Sequence, residues 1–209
     1  MKHIKSMALA ASTAAALMLG SGIASANNVV TVNTVQIFGT IDPAKINDYT
    51  EYMAGVNLYE ALTTLDGSGA IQPLLSESWS TSADGLTWTF KLKKGATFQD
   101  GSPIEAKDVV WSVNRLLAIN EGPSYLFEGV LSEGSVTEID SSTVQFKLEK
   151  TYAPFLTTTP ILFVVNSDLA KENAGDGDPW AQDYIANNSI GAGAFYLDSW
   201  ERGAGMTIK

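Results

Sequence analysis

Leu86, Trp88, Phe90 and Leu92 alternate with Thr87, Thr89 and Lys91. A period of two over seven residues reads as a β-strand with one buried face, because successive side chains of a strand point to opposite sides. Lys93-Lys94-Gly95 ends that strand, and Asp100-Gly101-Ser102-Pro103 forms a further turn. The period then changes. Val109, Val110, Val113, Leu116 and Leu117 recur at helical spacing, which predicts a helix over about 105–117 with these residues inward.

The rest of the chain fits that pattern. Tyr52, Val56, Tyr59 and Leu62 predict a helix over about 48–62 with these four on its buried face. A β-branched run over 29–32 predicts a strand. Segments 135–139 and 143–148 predict a hairpin turned by Asp140-Ser141-Ser142. A short helix is expected at Ala153-Pro154-Phe155-Leu156, with the proline in its first turn. From Ile190 on, a glycine-rich turn leads into strands, with Phe195, Leu197 and Trp200 expected to face in.

The first 26 residues read differently. Lys2 and Lys5 precede an apolar stretch from Met7 to Leu19, and Ala24-Ser25-Ala26 closes it. A basic start, a short apolar middle and an A-x-A end describe a cleaved export signal. That stretch falls short of the roughly 20 residues a membrane span needs. No Cys stands at the cleavage point to take a lipid. A soluble product in the periplasm is therefore expected.

After residue 26 the chain carries 11 basic against 23 acidic residues. This balance argues against a nucleic-acid partner, since phosphate binding relies on Lys and Arg. The chain has no Cys, and its one His, His3, lies in the signal. Ser-His and Cys-His nucleophiles, imidazole metal sites and Cys-ligated zinc are thereby excluded from the exported part. No metal and no cofactor are expected. Asp176-Gly177-Asp178 lacks the Glu at position twelve of an EF-hand loop and reads as a solvated loop. Paired carboxylates, as in glycoside hydrolysis, remain an open alternative on composition alone.

Several segments in order resemble the extracellular solute-binding proteins of the oligopeptide, dipeptide and nickel family, family 5, which deliver ligand to ABC importers. They are Asn57-Leu58-Tyr59-Glu60-Ala61-Leu62, Pro73 to Trp79, Asp84 to Gly95, Phe98 with Asp100 to Pro103, Ala106 to Ser112, Ala153 to Leu156, and Ile190 to Phe195. An ordered series is more specific than any one motif. Three positions depart from the family pattern. Ala192 and Ala194 stand where Thr and Pro are usual, and Glu105 stands where a Thr cap is usual.

The resemblance implies a mixed α/β, type II periplasmic-binding-protein-like fold, here incomplete. Residues 27–59 and 166–209 would build part of a first ligand-binding lobe, and 60–165 an inserted α+β domain. The second lobe is expected to be missing, since family members are more than twice this long. A monomer that takes a peptide or peptide-like solute to a membrane permease is implied, and not an enzyme. A truncated remnant that no longer transports is a further alternative. The family's contact segment maps onto Asn47, Asp48 and Tyr49, where Asp48 serves equally as a helix cap. Gly191 and Gly193 suit either close backbone approach near the cleft or a tight turn.

Overall fold

The computed structural model describes residues 30–33 and 39–209. The export signal expected over 1–26 and Val29 of the first expected strand lie outside the described residues. Val30–Asn33, which close the unit Met1–Asn33, are exposed and belong to no strand. The strand expected over 29–32 is therefore not seen at 30–32. β-branched residues favour a strand only where a neighbour packs against the pleated face. The unit Thr34–Lys209 holds all the regular structure among the described residues.

Helix α1 spans Tyr49–Leu58, four residues short of the expected end. Tyr59 is extended, at φ −129° and ψ 157°. Strand β1 (Glu60–Ala61) and strand β2 (Thr63–Leu65) follow at once. Tyr59 and Leu62 are buried as expected, but from extended chain and not from a helix. The buried face of α1 is Thr50, Glu51, Ala54, Gly55 and Leu58, while Val56 is 47% exposed. Small residues explain the choice. A Cβ at Gly55 would lie 2.9 Å from Ile46 and 3.0 Å from Phe163, so only glycine admits this close packing.

Strand β3 (Ile71–Pro73) pairs antiparallel with β2. Strand β4 (Ser76–Thr81) and strand β5 (Thr87–Leu92) follow. Helix α2 spans Ala106–Ile119, close to the expected bounds. Strands β6 (Val136–Asp140) and β7 (Thr143–Lys147) form the expected hairpin. The four strands make one antiparallel sheet in the order β4-β5-β7-β6. Phe90 lies opposite Val144 and Trp88 opposite Phe146, so the alternation read between 86 and 92 sets the register of the sheet. Phe90, Leu92, Val136, Val144 and Phe146 are buried against Val109, Val113 and Leu116 of α2. Each fully buried aromatic ring contributes about 2 kcal/mol or more.

The chain continues with helix α3 (Phe155–Thr158), strand β8 (Phe163–Val164), helix α4 (Ser167–Glu172) and helix α5 (Gln182–Ile185). It ends in the antiparallel hairpin of β9 (Leu197–Glu201) and β10 (Gly205–Ile208). Two cores result. One is built almost wholly from residues between Leu62 and Val164, and the other from Ile41, Ile46, Leu58 to Ala61, Phe163, Val165 and residues 170–190. The chain passes between them at β1 and β8, which pair antiparallel through Glu60 with Val164 and Ala61 with Phe163. Leu197 and Trp200 pack against the second core as expected. Phe195 does not face in and is 42% exposed; its backbone N–H is the part engaged, donating to the Asn57 carbonyl.

Candidate functional site

The loop leading into α1 is fixed by carboxylates that collect backbone N–H groups. Glu51, buried in the first turn of α1, accepts from Gly39 and Thr40 at 3.1 Å and from Asn47 at 3.0 Å. Asp48 is the N-cap of α1, and its side chain accepts from the Glu51 N–H at 2.9 Å. An acid here also suits the positive end of the helix. The loop thus presents Asn47 and Tyr49 outward, Tyr49 at 75% exposure. Tyr49, Tyr52, Met53 and Val56 follow at spacings of three, one and three, which places them on one face of the helix. Tyr49 and Val56 are exposed, and Tyr52 and Met53 half-buried. Tyr52 rests on the Phe163 ring at 5.8 Å.

Gly191 and Gly193 sit at the other end of α1, about 15 Å away along ten helical residues. Neither has a positive φ, so neither forms a glycine-dependent turn. A Cβ on Gly191 would collide with the Leu58 carbonyl and with the Tyr59 ring. One on Gly193 would collide with the Asn57 carbonyl. The close approach is real, but it is to the last turn of α1. Gly193 N–H donates to the Leu58 carbonyl at 3.1 Å and Phe195 N–H to the Asn57 carbonyl at 3.0 Å. Segment 191–195 thus supplies donors that the end of a helix otherwise lacks. The five expected ligand residues therefore form two groups at opposite ends of one helix.

Three residues outside the sequence-based set organise the same surface. The Gln99 side-chain amide donates to the Leu58 carbonyl at 3.2 Å, to the Gly193 carbonyl at 3.1 Å and to the Phe195 carbonyl. Arg115 of α2 forms a two-pronged pair with Asp42, both bonds at 2.6 Å, and donates from Nε to the Trp180 carbonyl at 2.8 Å. Asp108 accepts from the Ser167 N–H and hydroxyl and from the Glu105 N–H. Burial raises the Asp108 carboxyl above its usual range, with the Ser167 bonds opposing the shift. Burial also pushes the Tyr59 phenol well above its ordinary range, and the negative Asp42 adds to this. Only the acid at 108 had a sequence signal, three residues after Glu105 in a capping arrangement.

Among the described residues, no group of three or more His, Cys, Asp or Glu is placed to hold a metal ion. No helix among them is long and apolar enough to cross a membrane. An open pocket of about 450 Å³ lies beside the C-terminal half of α2, between Asn114, Phe127, Leu131 and Trp180; none of the five expected ligand residues lines it.

Residues 70–209, well over half of the chain, match the family model for bacterial extracellular solute-binding proteins, family 5. A probable D,D-dipeptide-binding periplasmic protein of Escherichia coli, DdpA, is 34% identical over 176 residues, covering 81% of this chain and 33% of that protein. The glutathione-binding protein GsiB of Escherichia coli is 30% identical over 200 residues, covering 94% of this chain and 36% of its own length. The substrate-binding domain of an oligopeptide ABC transporter from Bacillus anthracis superposes with a TM-score of 0.72 at 26% identity, covering 83% of this chain and 36% of that one. The chain spans about a third of the length of the curated relatives it matches. Its fold is the corresponding part of a type II periplasmic binding protein, a mixed α/β architecture. These matches are to binding proteins and favour that reading over the carboxylate-hydrolase alternative.

Proposed function

The chain belongs to the bacterial extracellular solute-binding proteins, family 5, and from that membership we propose that it is the first wall of a periplasmic solute-binding protein of an ABC importer. The solute is a peptide or a peptide-like molecule, held between two lobes and passed to a membrane permease. Capture by domain closure, not catalysis, is the task. The ligands for which these relatives are named, a D,D-dipeptide and glutathione, support this class. Residues 1–26 deliver the chain to the periplasm and are removed, and the exported protein acts as a monomer.

One observation carries the reading. Asn47 and Tyr49 stand exposed where a loop enters α1, and that loop's backbone is satisfied from inside by Glu51. A bound peptide needs amide partners and aromatic walls, which these two side chains offer. Asp48 serves as the helix cap beneath them. Gly191 and Gly193 hold the far end of α1 and act on the ligand only through it. The two cores support the division into a first lobe, 27–59 with 166–209, and an inserted α+β domain, 60–165.

Calorimetry tests this with a peptide library against the 27–209 chain and against a family-length protein that contains it. The family-length protein is expected to bind, and the 27–209 chain to bind very weakly. Tight capture by 27–209 alone would overturn the two-lobe reading, and no capture by the family-length protein would overturn the solute class.

A further inference from the structure

We propose that Arg115 is a positioning residue for the ligand-facing loop, so that helix α2 sets the placement of Asn47 and Tyr49 from outside the lobe that carries them. The proposal rests on the reading of Asn47 and Tyr49 as ligand contacts.

Arg115 lies on the helix that covers the sheet, with Val113 and Leu116 beside it in the first core. Its own side chain leaves that core. The guanidinium meets the two oxygens of Asp42 at 2.6 Å each, and Nε reaches the Trp180 carbonyl at 2.8 Å. Trp111, one turn earlier on α2, lies 5.9 Å from the guanidinium carbon and 5.5 Å from the Trp180 ring. Three stretches of chain far apart in sequence are thus tied at one planar group.

Asp42 passes this constraint on. Its Oδ1 also accepts from the Ala44 N–H at 3.0 Å, and its carbonyl accepts from the Lys45 N–H at 2.9 Å. Asp42 therefore shapes the turn 42–45, and Asn47 and Tyr49 follow within four residues. Glu51 ties the same loop from the other side, at Gly39, Thr40 and Asn47. Arg115 from α2 and Glu51 from α1 thus hold the loop from two sides, and Lys45 of the loop adds a longer ion pair with Glu121 at 3.7 Å.

Stability alone does not account for such a pair. Arg115 and Asp42 are 1% and 0% exposed, and a buried ion pair gives little net stability over apolar residues of the same size. A two-pronged guanidinium–carboxylate contact does fix direction, because both groups are planar and the bonds are parallel. Lysine keeps the charge and loses that direction.

The test uses Arg115→Lys. Hydrogen exchange of the whole chain is expected to speed up about tenfold at residues 44–49 and to stay unchanged in α2 over 109–116. Unchanged exchange in the loop, or an equal rise everywhere, overturns the proposal. In the family-length protein, R115K is expected to weaken peptide affinity about tenfold. With Asn47→Ala and Tyr49→Ala already in place, the further loss is expected to fall below about twofold, as coupled residues require. Equal losses in both backgrounds overturn it. If no form binds peptide, the solute reading fails while hydrogen exchange still decides the role of Arg115. If Arg115→Lys does not fold, the neutral pair Asp42→Asn with Arg115→Gln answers the same question, and loop exchange as slow as wild type there refutes the need for the ionic contact.

Discussion

Replacing Gly193 with alanine tests the account of how segment 191–195 closes the end of α1. The added Cβ would meet the Asn57 carbonyl oxygen, the Leu58 carbonyl carbon and, at 2.7 Å, the Asn57 carbonyl carbon. These are backbone atoms, which cannot swing aside as a side chain does. The segment must lift by a good fraction of an ångström. Overpacking of this kind costs about 1–3 kcal/mol. The lift also stretches the bonds from Gly193 N–H and Phe195 N–H to the last turn of α1, at 3.1 and 3.0 Å. Losing each costs a further ~1 kcal/mol. The expected total is about 3–5 kcal/mol, or a fall in Tm of roughly 6–20 °C for a chain of this size. Far-UV circular dichroism on heating, with urea titration at 25 °C, reads both quantities. Gly177→Ala is the control, since a Cβ there meets nothing within 4 Å and its φ is not positive, and it is expected to shift stability by less than about 1 kcal/mol. A G193A protein that melts within a degree or two of wild type would refute the argument from close approach.

Phe146→Ala empties a ring that lies 5.5 Å from both Phe90 and Phe155 in the first core, and a loss of about 3–5 kcal/mol is expected in urea titration. Asp48→Ala removes the N-cap of α1 and is expected to cost about 1 kcal/mol, seen as a lower urea midpoint at an unchanged slope. The Asp66 carboxylate accepts from the Ser68 hydroxyl and N–H, the Ala70 N–H and the Gln72 amide, which together lower its pKa to about 2. Its folded pKa is depressed, so its contribution is present above the unfolded value near 3.8 and is lost as pH falls toward 2. A carboxyl carbon NMR titration is expected to show that midpoint, and a value near 4 would count against the loop geometry.

The sheet was legible where its strands carry the burial signal themselves. Strand β5 alternates because one of its faces meets α2, and the hairpin of β6 and β7 is marked by its turn. Strand β4 went unread for the opposite reason. It lies at the sheet edge, and Ser-Glu-Ser-Trp-Ser-Thr offers only a half-buried Trp79 to the core. The end of α1 was misplaced because Tyr59 and Leu62 continue its spacing by coincidence while lying in extended chain. Val56 and Phe195 are apolar yet exposed, and no pattern within a single segment separates such residues from core. Of the candidate surface, the segment 47–49 came from the family resemblance. The roles of Arg115 and Gln99 depend on partners at least 65 and 41 residues away, and such pairings leave no local trace.

The pairing of β1 with β8 has a topological consequence. Glu60 and Ala61 lie directly across from Val164 and Phe163, so about a hundred residues depart from and return to one doorway. Antiparallel neighbours at that spacing are the ends a two-residue hairpin joins. To the smaller core, the whole excursion from Leu62 to Leu162 is formally a loop, and loop length adds little to the entropy of closing it. The excursion therefore has its own core while remaining in one compact unit with the rest. A short turn grafted at this point would close the circuit. What such a graft would forfeit is every reach back across the threshold, of Arg115 to Asp42 and Trp180, of Gln99 to Leu58 and Gly193, and of Asp108 to Ser167.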